Sequence, residues 1–209
     1  MRSACALLAV IVAGAAGHEQ QPRWAAFQGV RLGGPIDDVL ALGGECRAAD
    51  AAGDLGPGTS AYMFAQTAFQ YALPHAHPPR DSAATRAALR LGTMCVAPLL
   101  DDRARVVVAA IDRRVVAVVV WFDGARPDRV GPDSVRAIAY AGWGRPTHPS
   151  PNLDTWWGTR YRAYVLIPRL ENVPSMWTAP RIILLDIAAC TAFDRRLHRA
   201  GAPGEAGEC

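Results

Sequence analysis

Arg105-Val106-Val107-Val108-Ala109-Ala110-Ile111, then Asp112-Arg113-Arg114, then Val115-Val116-Ala117-Val118-Val119-Val120-Trp121-Phe122 is the stretch that decides the fold. Two runs of β-branched and aromatic residues flank a short polar break, which predicts a β-hairpin over 105–122. Both runs are apolar on successive residues rather than on alternate ones. A sheet built from such strands is covered on both faces, at least in part.

Upstream, 24–32 reads as a short extended segment with Phe27, Val30 and Leu32 as core candidates. Gly33-Gly34-Pro35 breaks the chain, and Pro35 suits a first helical turn. Asp37 and Asp38 favour the positive end of that helix, and Ile36, Val39, Leu40 and Leu42 form its apolar stripe. Gly43-Gly44 ends it, so a helix of about two to three turns is expected just before Cys46. Residues 47–60 read as loop. The aromatic runs 62–64 and 69–73 predict a strand pair, closed by Pro74-His75-Ala76-His77-Pro78-Pro79. The stretch 83–91 has helical composition.

Beyond the hairpin the pattern begins again. Gly131-Pro132-Asp133-Ser134-Val135 opens a helix through Ala141, with Gly142 at its end. A Pro-rich loop and Trp156-Trp157 follow, then strands over 161–168 and 181–187. His198 falls in a basic helix or turn. The expected fold class is α+β, short helices packed on an antiparallel β-sheet. The order of elements suggests two diverged helix–strand–strand units. The expected divisions are a leader at 1–17, a first unit at 18–124, a second at 125–199 and a flexible tail at 200–209. A single domain joining both units is the alternative.

Met1-Arg2-Ser3-Ala4-Cys5 is a basic start, and 6–16 is an unbroken run of small and apolar residues, too short to span a bilayer as a helix. The small-residue end Ala13-Gly14-Ala15-Ala16-Gly17 precedes His18-Glu19-Gln20-Gln21. This is the layout of a secretory signal peptide, with a secreted or periplasmic address and no stable membrane span after cleavage. An uncleaved anchor or a buried helix is the alternative. Of five cysteines, Cys46, Cys95, Cys190 and Cys209 remain after cleavage, and four allow three pairings. Cys46–Cys95 with Cys190–Cys209 is favoured because each pair closes a loop within one half of the chain. Cys209 pairing with another molecule stays open.

Phe27-Gln28-Gly29-Val30-Arg31-Leu32-Gly33, a short helix carrying Asp37-Asp38-Val39, and then Gly-Gly and Cys46 resemble the opening of small extracytoplasmic helix-plus-sheet domains. These are the domains of the beta-lactamase-inhibitory proteins and of the small outer-membrane assembly lipoproteins. The resemblance covers about 20 residues, with a weaker echo at 131–142. It implies helix-plus-sheet units and, as in the inhibitory proteins, a cysteine after the first helix paired to one on a following strand. The chain departs from the pattern at Gly34-Pro35, where those domains favour Met-Thr/Ser, and it lacks the lipoprotein cysteine.

The composition excludes several classes. The 209 residues carry a formal charge of +3 and are 51% apolar, which fits neither a disordered chain nor a nucleic-acid binder acting through net charge. All 22 basic residues are arginine, and they are scattered among aspartates, as on a solvated surface. No zinc-ligand, nucleophile-elbow, phosphate-loop or calcium-loop motif is present. His75 and His77 alternate, but prolines flank them and no third ligand lies nearby, so no metal site or cofactor is expected. His148 sits in another proline-ruled loop.

The aromatic residues carry more. Trp143, Trp156, Trp157 and Trp177 lie in the second half, most of them beside Gly or Pro. Tryptophan so placed either caps a small core from its edge or anchors a partner by stacking. Arg160 and Arg162 alternate with Tyr161. Trp156, Trp157 and Arg160 are therefore the candidate partner-binding residues, provided that they are exposed together. The expected function is a non-catalytic binding, inhibitor or envelope-associated role toward a protein or glycan outside the cytoplasm. The alternative is a secreted hydrolase whose site motifs do not reveal.

Overall fold

The Val-rich hairpin is the middle of a seven-stranded antiparallel sheet in the order β3-β4-β5-β6-β9-β8-β7. The computed structural model describes residues 21–48, 92–100, 103–122, 130–167 and 180–199. The strands are β3 (Glu45–Ala48), β4 (Gly92–Leu99), β5 (Ala104–Ile111), β6 (Arg114–Phe122), β7 (Leu153–Trp157), β8 (Tyr161–Leu166) and β9 (Arg181–Asp186). A separate hairpin of β1 (Ala26–Phe27) and β2 (Val30–Arg31) follows a 3-10 turn at Arg23–Ala25. The helices among the described residues are α1 (Asp37–Leu40), α2 (Pro132–Trp143) and α3 (Ile187–Arg199). The fold is α+β, a few short helices against a large antiparallel sheet. Both halves of the chain feed this one sheet, β6 pairing with β9.

The β5–β6 turn is tighter than expected. Only Asp112 and Arg113 form it, with φ of 49° and 61°, and two left-handed residues give the turn twist that suits adjacent antiparallel strands. Arg114 belongs to β6. Pairing shifts between Ala109/Ala117 and Ala110/Val115, leaving Val116 as the extra residue of a bulge. The bulge changes parity, so Val115, Val118, Val120 and Phe122 all face one core. Nearly every position of both strands is buried.

That core lies between one face of the sheet and the layer of α1, α2 and the β1–β2 hairpin. Phe27, Val30 and Leu32 are buried in it, with Ile36, Val39, Val135 and Ala139 from the helical layer. The opposite face carries Val107, Ala109, Val119, Ile183 and Leu185, also buried. There α3 packs against β6, β8 and β9, placing Phe193 and Cys190 inside.

Several expected boundaries move. Pro35 does not open a helix; it bridges Arg114 as an antiparallel pair, and the N–H of Ile36 donates to the carbonyl of Arg113. With 33–36 engaged on β6, α1 is left with four residues, and Gly43, at φ +77°, turns the chain into β3. Leu40 is consequently exposed instead of lining a stripe. Gly142 lies inside α2, which ends at Gly144 with φ +78°, a conformation open to glycine. β3, β4 and β7 arise where no strand was expected, and α3 extends far beyond the expected turn around His198.

Cys46 and Cys95 sit directly opposite on β3 and β4 and are joined by a disulfide, with Cα atoms 4.1 Å apart. Cys190 is disulfide-bonded as well; Cys209, its expected partner, lies outside the described residues. So do the leader at 1–17, the stretches 62–73 and 83–91, His75, His77, Trp177 and the tail at 200–209. Among the described residues no helix is long and apolar enough to cross a membrane.

Candidate recognition surface

Among the described strands β7 lies at an edge of the sheet, and its alternation sorts L-D-T-W-W into two sets. Asp154 and Trp156 point into the core, 1% and 2% exposed. Leu153 and Trp157 point out on the opposite face, 37% and 56% exposed. They are two of the three exposed large apolar side chains among the described residues; the third, Leu40, lies on α1. Across the β7–β8 ladder, Leu153 stands opposite Leu166, Thr155 opposite Tyr164 and Trp157 opposite Arg162. Leu166, Tyr164 and Arg162 are half-buried, and Thr155, between Leu153 and Trp157, is buried. The outer face of β7–β8 therefore offers two exposed apolar side chains, Leu153 and Trp157, with one cation beside the second.

Trp157 is held in place although it is exposed. The Arg162 guanidinium carbon lies 5.6 Å from the centre of its ring, within cation–π range. The His148 ring lies 4.8 Å away, tilted by 46°. Thr147 accepts the Trp157 backbone N–H on Oγ1 at 3.1 Å and donates the same hydroxyl to the Thr155 carbonyl at 2.8 Å. His148 and Thr155 exchange backbone hydrogen bonds of 3.1 and 3.0 Å. This short pairing covers part of the outer edge of β7 and leaves the side chains of Leu153 and Trp157 exposed.

The inner face anchors the strand. Buried Asp154 accepts from Arg136 Nε at 2.9 Å, from the Tyr140 hydroxyl at 2.9 Å and from the Ser150 N–H at 3.1 Å. Arg136 Nη2 also donates to the carbonyls of Ser150 and Pro151. One carboxylate thus ties α2 to the approach of β7. Burial, and then the bond to Asp154 and its charge, push the Tyr140 hydroxyl above its ordinary range, with Arg136 opposing. It stays a protonated donor. Trp156 packs edge-on against Trp143 and Tyr140, with centroids 5.1 and 5.9 Å apart. Trp143 in turn donates its indole N–H to the Ala26 carbonyl at 3.1 Å.

The expected trio of Trp156, Trp157 and Arg160 does not share a surface. Adjacent residues of a strand face opposite ways, so Trp156 is core while Trp157 is exposed. Arg160 lies just before β8, and its Nη2 is 3.0 Å from Asp186 Oδ2. Asp186, itself buried, accepts the Ala189 N–H at 3.1 Å and so caps α3. Arg160 thereby fastens the β8 entrance to the β9–α3 junction. Leu153, which no motif marks, joins Trp157 through the period-two pattern of 153, 155 and 157. His148 joins through a backbone pairing that no local pattern encodes.

Among the described residues no three or more His, Cys, Asp or Glu side chains gather in a way that could hold a metal ion. His148 Nδ1 meets Thr147 Oγ1 at 3.2 Å, and its ring lies against Trp157. No family model, no curated protein and no solved structure matches this chain.

Proposed function

We propose that this protein is an exported, non-catalytic recognition module that binds a partner outside the cytoplasm through the outer face of β7–β8. The observation that carries the reading is Trp157, more than half exposed and yet in contact with both Arg162 and His148. Tryptophan and arginine are the residue types most often found at binding hot spots. Leu153 on the same strand face adds apolar area to the patch. The basic start and apolar run at 1–17, with an even number of cysteines beyond them, support the address.

The test has two parts. Intact mass of the protein made in its own kind of host is expected to reveal loss of the leader and, on reduction, the gain for two disulfides. A full-length chain with free thiols would overturn the address. Crosslinking of wild type, Trp157→Ala and Leu40→Ala to extracytoplasmic extract is expected to give adducts lost only in the Trp157 variant. Leu40 serves as the control because it is exposed but lies on the helical layer. Adducts unchanged by Trp157→Ala would overturn the recognition reading.

A further inference from the structure

Resting on that reading, we propose that the outer face of β7–β8 binds an extended, acidic segment of a polypeptide. A carboxylate meets Arg162 beside Trp157, and a large apolar side chain lies over Leu153 and Leu166.

The patch has two poles. Trp157 and Leu153 lie on one face of one strand, four residues and therefore about 13 Å apart. At one pole Leu166 stands opposite Leu153, and both are aliphatic. At the other, Arg162 stands opposite Trp157 and makes no ion pair with any carboxylate of the described residues. A cation–π contact at 5.6 Å uses none of the guanidinium N–H donors, which a carboxylate can take in bidentate fashion. The exposed part of the Trp157 ring then receives the apolar flank of the same ligand residue.

An extended polypeptide matches this spacing. Its side chains four residues apart also share a face and are separated by the same distance. A uronic-acid sugar chain supplies carboxylates and a stacking surface, but no aliphatic side chain for the Leu153–Leu166 pole. A second copy placed by a two-fold axis through the Trp157 pole brings another Arg162 to the first, which is like charge on like charge. The His148–Thr155 pairing occupies part of the strand edge, so the ligand lies across the face there instead of adding a strand.

The experiment pans a display library of short random peptides on the full mature protein, with counter-selection on Trp157→Ala. Selected peptides are then synthesised and titrated, beside a uronic-acid oligosaccharide, with sedimentation of the protein alone. The expected peptides carry Asp or Glu four positions from a large apolar residue. Arg162→Ala and Leu153→Ala each weaken binding, the former by about tenfold or more, with circular dichroism unchanged. Affinity also falls as salt rises. Peptides without acidic enrichment, or no Trp157-dependent peptide at all, would overturn the proposal. Trp157-dependent retention of the oligosaccharide alone, or Trp157-dependent dimers alone, sinks it while the recognition reading stands. Loss of every Trp157-dependent interaction sinks both.

Discussion

Trp156 and Trp157 are neighbours in the chain and lie on opposite faces of the sheet, the first 2% exposed in the core and the second 56% exposed at the edge. One indole is an internal support and the other a contact surface. Truncation should separate the two roles. Trp156→Ala should cost about 3–5 kcal/mol, whereas Trp157→Ala should stay within about 0.5 kcal/mol. Urea titration measures both. Equal losses would mean that β7 does not sit in this register.

Asp154 carries the tie between α2 and the approach to β7. Asp154→Ala leaves Tyr140 and the partly buried Arg136 without their acceptor, and should cost about 3 kcal/mol. Amide exchange should quicken first over 150–157. Protection lost evenly across the sheet would assign Asp154 to global stability instead of to this tie.

Tyr140 makes the same tie pH-dependent on the alkaline side. Its folded value is raised, so the folded chain holds a proton that the unfolded chain releases above about pH 10. The contribution is therefore complete below that pH and is lost as pH climbs through the raised value. Tyr140→Phe should cost about 1 kcal/mol near neutrality. Its deficit against wild type should then shrink in strongly alkaline solution. A deficit that stays constant there would contradict the raised value.

The β3–β4 disulfide closes a sequence separation of 49 residues. Replacing Cys46 and Cys95 together by Ala should lower stability by about 2–4 kcal/mol. Because β3 pairs with β4 alone among the described strands, exchange should rise first at Glu45–Ala48. Protection unchanged there would mean that the ladder, not the crosslink, holds this edge.

Asp186 joins the Arg160 pair to the start of α3. Asp186→Ala should cost about 1–2 kcal/mol, mostly through the lost cap, since half-exposed Arg160 is screened by water. Asp186→Asn keeps a capping oxygen and should recover much of that loss. Equal losses in the two variants would place the stabilisation in the charge pair.

Legibility in the sequence followed the range of the contacts. The hairpin of β5 and β6 was readable because its Val-rich runs and polar break are local. Phe27, Val30 and Leu32 were readable as core for the same reason. β7 was not, because its five residues follow a Pro-rich loop and carry a buried Asp154 that becomes compatible with a core only once Arg136 and Tyr140 arrive from α2. α1 was overestimated because a favourable apolar stripe competes with the pairing of 33–36 on β6, a contact about eighty residues away in sequence.

By itself the sequence determined the α+β class, the central hairpin and the glycine-and-proline start of α2, and it favoured Cys46–Cys95 among three possible pairings. Each follows from propensity, turn chemistry or loop closure. The tertiary structure alone decided that β9 lies beside β6, that Val116 bulges, that Arg160 is spent on Asp186, and that Trp157 rather than Trp156 meets solvent. Those outcomes depend on register. A shift of one residue exchanges the faces of an entire strand, and only the summed long-range packing of the sheet selects which face is in.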